Sequence, residues 1–303
     1  MSGTTTFEEH RSHLFGVAYR MLGSVTEAED IVQEAWLRRA QADGAQIEDE
    51  RAFLTTVVSR LAIDRLRSAR HRRETYVGPW LPEPLPTRDA TRATDPRRPE
   101  DAAELADSLT FAFLTMLDEL QPDQRAVVLL HDVFGYHFGE VARMVGRSEA
   151  ACRQLASRAR RRLRSAGGEP STGDGRRLPR GATARPAAEA VDRFLVALAS
   201  GDVAGVLAAL APDVVLVSDG GPDHHAARRP VRGPERVGRL LVNLGRRLPE
   251  STTLEPREIN GEPGVIVSIG GVPFATIGFA GGPHGIDRLW LVRNPSKLAH
   301  LLR

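Results

Sequence analysis

The sequence predicts a multidomain chain: two all-α modules, the second carrying a helix-turn-helix, followed by an α+β module. Three observations predict it. Helical periodicity fills residues 7–74 and resumes from about Leu105 to Arg164. Two stretches rich in helix breakers, 75–105 and 165–185, interrupt the chain. Strand-like runs divided by glycine turns come only after the second of these.

Each element follows from local pattern. Phe7, Leu14, Val17, Ala18, Met21 and Leu22 recur at helical spacing, and Gly23 can stop that helix. Thr26 with Glu29 forms a capping box that opens a second helix through about Ala40. Its apolar stripe is Ile31, Val32, Ala35 and Trp36, while Glu27, Asp30 and Glu34 stack on another face. A third helix runs from about Arg51 to Arg73, burying Phe53, Leu54, Val57, Val58, Leu61 and Leu66, with a basic C-terminal half. The 75–105 stretch holds six prolines. Within it, "YVGPWLPEPLP" can be neither helix interior nor central strand, yet Trp80 and Leu81 are too apolar for a mere solvated spacer. Past the second spacer come a helix near 187–200, "GDVAGVLAAL", a strand-like "VVLVS" and a helix at about 234–248. The runs "VIVSIG", "VPFATIGF" and "DRLWLV" close the chain as a strand meander.

Composition narrows the class. Of 303 residues, 41% are hydrophobic and 26% charged, as in soluble globular proteins. No apolar run reaches the roughly 18–20 residues of a membrane span, and "MSGTTTFEEHRSH" lacks the layout of a secretory signal, so a cytoplasmic location is expected. With Cys152 as the single cysteine, an internal disulfide and a cysteine-built zinc site are both excluded. The net charge of +2 hides two basic blocks. Eight arginines against Glu149 lie between Arg143 and Arg164, and six against Asp64 between Arg60 and Arg73. Such clustering suggests two contacts with a polyanion. Lys297 is the only lysine.

"GYHFGEVARMVGRSEAACRQLASRARRRLR", residues 135–164, has the form of a helix-turn-helix. Phe138 to Val145 gives a short helix, Gly146 suits its left-handed end, and Ser148 is an N-cap for the next. The second helix keeps Cys152, Leu155, Ala159 and Leu163 inward. Arg147, Ser148, Arg153, Gln154, Ser157, Arg158, Arg160 and Arg161 are left for groove and phosphate. A solvated basic helix in a bundle, or a repressor, would carry the same motif. The second basic block, on a helix preceded by an acidic one, narrows the choice.

"HLFGVAYRMLGSVTEAEDIVQEAWLR", "DERAFLTTVVSRLAIDRLRSARHRRE" and "LDELQPDQRAVVLLHDVFGYHFGEVARMVGRSEAACRQLASRARRRL" together resemble the extracytoplasmic-function sigma factors of the sigma-70 family, over roughly residues 7–165. The resemblance implies a bacterial initiation factor with core RNA polymerase and promoter DNA as partners. Asp30, Gln33 and Glu34 would meet the clamp helices of the polymerase β′ subunit. Arg60, Arg65, Arg67, Arg70, Arg72 and Arg73 would handle the −10 element as it melts, a cationic track for a separated strand. The helix-turn-helix would read the −35 element.

The "YVGPWLPEP" linker, with "SDGG" at 218–221, "AARRPVRG" at 226–233 and "VRNPSKLAHLL" at 292–302, is similar to the sigma-J-like subgroup, which carries a fused SnoaL-like domain. That implies an NTF2/SnoaL-like cone-shaped α+β fold and a linker docked on it. Trp80, Leu81, Pro82, Asp219, Gly220, Gly221, Asn294, Pro295 and Lys297 would form the interdomain regulatory contact. Relatives commonly continue the glycine motif with a third Gly and a Lys. Here Asp219-Gly220-Gly221 runs into Pro222-Asp223-His224, so the loop's cation is missing. The expected boundaries are region 2 at 7–74, Pro-rich linker at 75–105, region 4 at 106–166, flexible linker at 167–185 and SnoaL-like domain at 186–303.

Cone-shaped relatives include isomerases and cyclases that need a base inside an apolar cone, often with a tyrosine donor. Asp219, His224, His225 and Asp287 are the candidate bases, but none has a spacing that demands chemistry. Tyr19, Tyr76 and Tyr136 all fall outside 186–303, which excludes a tyrosine donor on this reading. Adjacent His224 and His225 read as surface residues rather than metal ligands. The expectation is a regulatory domain with no catalytic residues, metal or cofactor, and with room for a small apolar ligand. An isomerase-like enzyme bearing a DNA-binding module is the alternative.

Overall fold

The computed structural model describes residues 2–42, 47, 49–74, 76–86, 107–165, 188–222, 224, 226–282 and 284–302. The expected spacer at 167–185 and most of the stretch at 75–105 lie outside the described residues. The chain forms two compact units, one from 1–74 with 88–182 and the other from 75–87 with 183–303.

In the first unit, α1 (Ser2–Leu22), α2 (Val25–Gln41) and α3 (Glu50–Glu74) pack around Leu14, Val17, Ala18, Met21, Leu22, Leu54 and Val58, all fully buried. Gly23 ends α1 at φ +67° and donates back to the Tyr19 carbonyl at 2.7 Å. The cap of α2 is Ser24 rather than Thr26: its hydroxyl accepts from Glu27 N–H at 3.1 Å. Both sites offer a hydroxyl before an acid, and the glycine turn selects the earlier one. Trp36 also departs from expectation. Ala28, Ile31, Val32 and Ala35 are buried, while Trp36 lies outside the stripe and is 41% exposed.

Four further helices follow: α4 (Phe111–Leu117), α5 (Pro122–Val128), α6 (Phe138–Val145) and α7 (Glu149–Ser165). Thr110 caps α4 through Phe113 N–H, and Pro122 opens α5 at a position where its missing N–H costs nothing. A π-helical turn at Leu129–Val133 continues α5. Helices α1 and α5 are joined by two buried arginines. Arg20 donates to Ser108 Oγ at 2.7 Å, and its carbonyl accepts from Arg125 at 3.0 and 3.3 Å. Burial pushes the Arg20 guanidinium down to about 9. Arg125 pairs with Asp118 at 2.5 Å.

The second unit is α+β. Helices α8 (Ala188–Ser200), α9 (Val203–Ala209) and α10 (Pro234–Gly245) accompany β1 (Leu210–Asp219), β2 (Val231–Arg232), β3 (Thr252–Ile259), β4 (Glu262–Ile269), β5 (Val272–Gly282) and β6 (Gly285–Val292). The six-stranded sheet runs β2-β1-β6-β5-β4-β3. Strands β3 to β6 are an antiparallel meander, and β1 lies parallel to β6. The core fills the space between sheet and helices, with Phe194, Val206, Val214, Leu216, Val237, Phe279 and Leu289 fully buried. β3 was absent from the sequence expectation. Its pattern "TTLEPREI" is polar and holds Pro256, which an edge strand tolerates because one side of its backbone is unpaired. The short helix α11 (Pro295–Leu298) and a 3-10 turn (Ala299–Leu302) finish the chain against β5.

Candidate functional site

β1 ends at Asp219, whose side chain is fully buried yet receives four donors. Oδ1 accepts from the Tyr76 hydroxyl at 2.5 Å and from Gly221 N–H at 3.0 Å. Oδ2 accepts from Leu81 N–H at 2.8 Å and from Lys297 Nζ at 2.7 Å. The Lys297 ammonium donates also to the Leu81 carbonyl and sits 4.0 Å from the Trp80 ring centroid. Asn294, which caps α11, donates from Nδ2 to the Tyr76 oxygen at 2.9 Å. Gly221 has φ +69°, and a Cβ there would lie 2.7 Å from the Asn294 amide carbon. Only glycine fits between the turn and that cap.

A second anchor holds the far end of the linker. Leu85 N–H donates to Asn260 Oδ1 at 3.0 Å, and Asn260 N–H donates back to the Leu85 carbonyl at 2.7 Å. His300 Nε2 donates to the Pro84 carbonyl at 2.7 Å. Asn260 has φ +56° and with Gly261 makes the tight β3–β4 hairpin, so one residue both turns the chain and pairs with the linker. Between the anchors Leu81 and Leu85 are each 1% exposed, worth about 1.5–3 kcal/mol apiece by area burial.

The structure therefore gathers Trp80, Leu81, Asp219, Gly220, Gly221, Asn294 and Lys297 into one site. Pro82 is buried in the linker and Pro295 is exposed at the start of α11. The cation missing from the glycine loop is supplied by Lys297 from the C-terminal helix. One expectation is corrected. Tyr76 was excluded as lying outside the α+β domain, but the linker belongs to that unit and brings its hydroxyl to Asp219. Burial, then the Asp219 hydrogen bond, raises the phenol well above its ordinary value. Among the candidate bases, His224 is exposed and His225 lies outside the described residues. Burial raises the half-buried Asp287 carboxyl. Among the described residues no cluster of three or more His, Cys, Asp or Glu could hold a metal.

The helix-turn-helix forms as its residues dictate. Gly146 takes φ +68°, ψ +40°, and Ser148 Oγ accepts from Ala151 N–H at 3.2 Å. Cys152, Ala156, Ala159 and Leu163 face inward; Leu155 is half-buried. Arg147, Ser148, Arg153, Gln154, Ser157, Arg158 and Arg161 are exposed. Arg153 pairs with Glu149 and lies over the Phe138 ring. Arg160 differs from expectation: it turns away from that surface and grips Asp132, a 2% exposed carboxylate on the π-helical turn, through Nε at 2.8 Å and Nη2. It braces the module from within.

On α3, Arg60 donates to the Met144 and Arg143 carbonyls at 3.1 and 3.0 Å. Arg65 lies 3.7 Å from Glu27, and Arg67 pairs with Asp123 at 2.8 Å. The side chains of Arg70, Arg72 and Arg73 lie outside the described residues. On α2, Asp30 and Gln33 are exposed and Glu34 pairs with Arg38 at 2.9 Å. Trp36 and Leu37, at 41% and 42% exposure, add apolar surface beside them. Sequence periodicity had assigned Trp36 inward and so missed this patch.

Comparison with known proteins decides the family. Models of sigma-70 region 2 and of sigma-70 region 4 match residues 6–72 and 110–163. Over 241 residues, 80% of this chain and 72% of the relative, it is 48% identical to the ECF RNA polymerase sigma factor SigJ of Mycobacterium tuberculosis. This chain is an extracytoplasmic-function sigma factor. The crystal structure of SigJ from that organism matches with a TM-score of 0.71 at 37% identity, covering 98% of each chain. A probable ECF sigma factor SigI of Mycobacterium tuberculosis is 32% identical over 272 residues, covering 88% of this chain and 84% of that protein. The sigma factor binds core RNA polymerase and promoter DNA and directs initiation of transcription, without catalysis of its own.

Proposed function

We propose that the α+β domain controls this sigma factor by holding the 76–86 linker at the Asp219 and Asn260 anchors. The observation that carries the reading is the Asp219 carboxylate, which binds Tyr76, Leu81 and Lys297 at once. A pre-extended, proline-rich segment loses little entropy on docking, so modest changes at the anchors can shift the linker between held and free. Promoter engagement by the residues expected from the sequence follows. Asp30, Gln33 and Glu34, with Trp36 and Leu37, face the polymerase clamp helices. Arg60, Arg65 and Arg67 take −10 phosphates. Arg147, Ser148, Arg153, Gln154, Ser157, Arg158 and Arg161 face the −35 duplex, and Arg160 is assigned to bracing. The modules are region 2 at 7–74, region 4 at 106–166, and 186–303 with its bound linker. Action beside the chromosome, in the cytoplasm, goes with this role; among the described residues no helix is long and apolar enough to cross a membrane.

A small apolar ligand in the α+β domain is the finer alternative for how the domain is set. The space between sheet and helices is apolar, but Phe194 and Phe279 meet there edge to face at 5.5 Å, and a ligand must displace that pair to enter.

Run-off transcription with core polymerase, on a promoter from the gene's own upstream region, tests the control reading. Asp219→Asn and Lys297→Met should change transcript yield relative to the unaltered chain, and no product should form without core. Unaltered yield, with the linker shown free by Trp80 fluorescence, would refute control through the anchors.

A further inference from the structure

Asp123, second residue of α5, is the meeting point of the two basic blocks. Its Oδ1 accepts from Arg67 Nη2 at 2.8 Å and its Oδ2 from Arg147 Nη2 at 2.6 Å. Arg67 lies on the basic end of α3, while Arg147 is in the turn before the recognition helix α7. Two helical turns earlier on the same face of α3, Arg60 donates to the carbonyls of Arg143 and Met144. Those carbonyls belong to the last turn of α6, where unpaired C=O groups and the helix dipole favour a cation. One face of α3 is thus bound to the helix-turn-helix module by a carboxylate and a helix end. The Asp123 carboxylate resembles what a nucleic-acid backbone offers, an anionic oxygen fork for guanidinium nitrogens, while the helix-end carbonyls add only partial negative charge. Side-chain exposures of 52% for Arg67, 48% for Arg147 and 20% for Asp123 put the bridge at the solvent edge, where an incoming phosphate can compete.

We propose that Asp123 is an internal phosphate mimic. It clasps α3 to the helix-turn-helix module, keeps the two promoter-binding surfaces folded on each other in the free sigma factor, and releases Arg67 and Arg147 when DNA phosphates replace it. The proposal rests on the reading of these arginines as phosphate ligands. The exchange is between like partners, one carboxylate against several phosphates, so the number of phosphates reached decides it. A free chain then binds DNA weakly and a promoter held on polymerase opens the clasp.

The test is fluorescence anisotropy of the full chain with a labelled random-sequence duplex, titrated over a range of salt. Asp123→Asn is compared with Asp64→Asn. Asp64 lies 3.4 Å from Arg67, so its loss removes the same charge without breaking the bridge between modules. Asp123→Asn should tighten binding about five-fold or more and steepen the log–log salt slope by roughly one to two, at about 0.9 per added phosphate. Asp64→Asn should do much less, and adding Arg67→Ala and Arg147→Ala together to Asp123→Asn should remove the gain. Equal effects of the two single variants, or a gain that survives loss of both arginines, would overturn the proposal. Small-angle scattering gives an independent arm: Asp123→Asn should enlarge the chain at unchanged helix content. Should that variant lose helix, Arg67→Ala breaks the same bridge from the other side and must itself enlarge the chain. A chain that stays compact with the bridge broken sinks the clasp. Run-off transcription unaffected by Arg67→Ala and Arg147→Ala together would instead sink the phosphate-ligand reading, even if scattering shows opening.

Discussion

Lys297 Nζ donates to Asp219 Oδ2 at 2.7 Å and also to the Leu81 carbonyl, so the chain's one lysine closes on a buried carboxylate and on linker backbone together. Their side chains are 7% and 0% exposed. Breaking such a pair by removing one partner leaves the other charged in a dry site, which costs about 3–5 kcal/mol. Lys297→Met should therefore lower the stability of the α+β domain by that order and free the linker. Urea denaturation followed by tryptophan emission measures the first, and protease cleavage within 76–86 the second.

Gly221→Ala should be damaging out of proportion to one methyl group. At φ +69° an L-residue is strained by about 1–2 kcal/mol, and the added carbon would press on the Asn294 amide. A loss of about 2 kcal/mol or more is expected in the same denaturation assay. Gly146→Ala shares the positive φ but faces open space, so it should cost only the strain.

Alkaline pH should loosen the linker through Tyr76. Its phenol is raised by burial first and the Asp219 bond second, so the protonated form belongs to the folded state. The resulting stability is whole below the unfolded value of about 10 and declines as pH rises through and beyond it. Tyr76→Phe should remove this part of the slope. Thermal melts of both chains from about pH 8 upward check it; parallel slopes would count against the assignment.

Arg160 and Arg158 should separate structure from DNA contact. Arg160→Ala strands Asp132 and should cost about 3–5 kcal/mol of region 4 stability. Arg158→Ala should leave the melt unchanged and weaken duplex binding, with a salt slope shallower by about one. Circular dichroism and anisotropy on the same samples distinguish them.

Trp36→Ala should weaken association with core polymerase on the order of tenfold, as a half-exposed aromatic at an interface commonly does, without lowering stability. Competition binding to labelled core measures it.

Much of this was legible in the residues. Gly146 and Ser148 have one local use each, and together they fix the helix-turn-helix without help from the rest of the chain. Periodicity found α1, α3, α8 and α10 because each buries a broad apolar face. It failed at β3, where an edge strand has no buried face to repeat, and at Trp36, which one helical step moves from core to surface. Asn260 carried a signal in its Asn-Gly pair, a hairpin turn between strand-like runs, but nothing local tells that its amide also faces Leu85. Arg160 was indistinguishable from Arg158 and Arg161 in a basic run, since only the position of Asp132 decides which arginine turns inward.

The sequence by itself determined the family, the order of modules and the location of both basic blocks, because helix caps, turns and charge runs are local and survive in one dimension. It also marked the linker as more than a spacer, since apolar residues among prolines have no local use. Tertiary structure alone decided which groups meet. Asp219 with Tyr76, Leu81 and Lys297, and Asp123 with Arg67 and Arg147, are pairings across 24 to 143 positions of chain. Short-range rules constrain each partner's backbone but carry no information on distance through space, so such pairings arise only when the packed core brings the elements together.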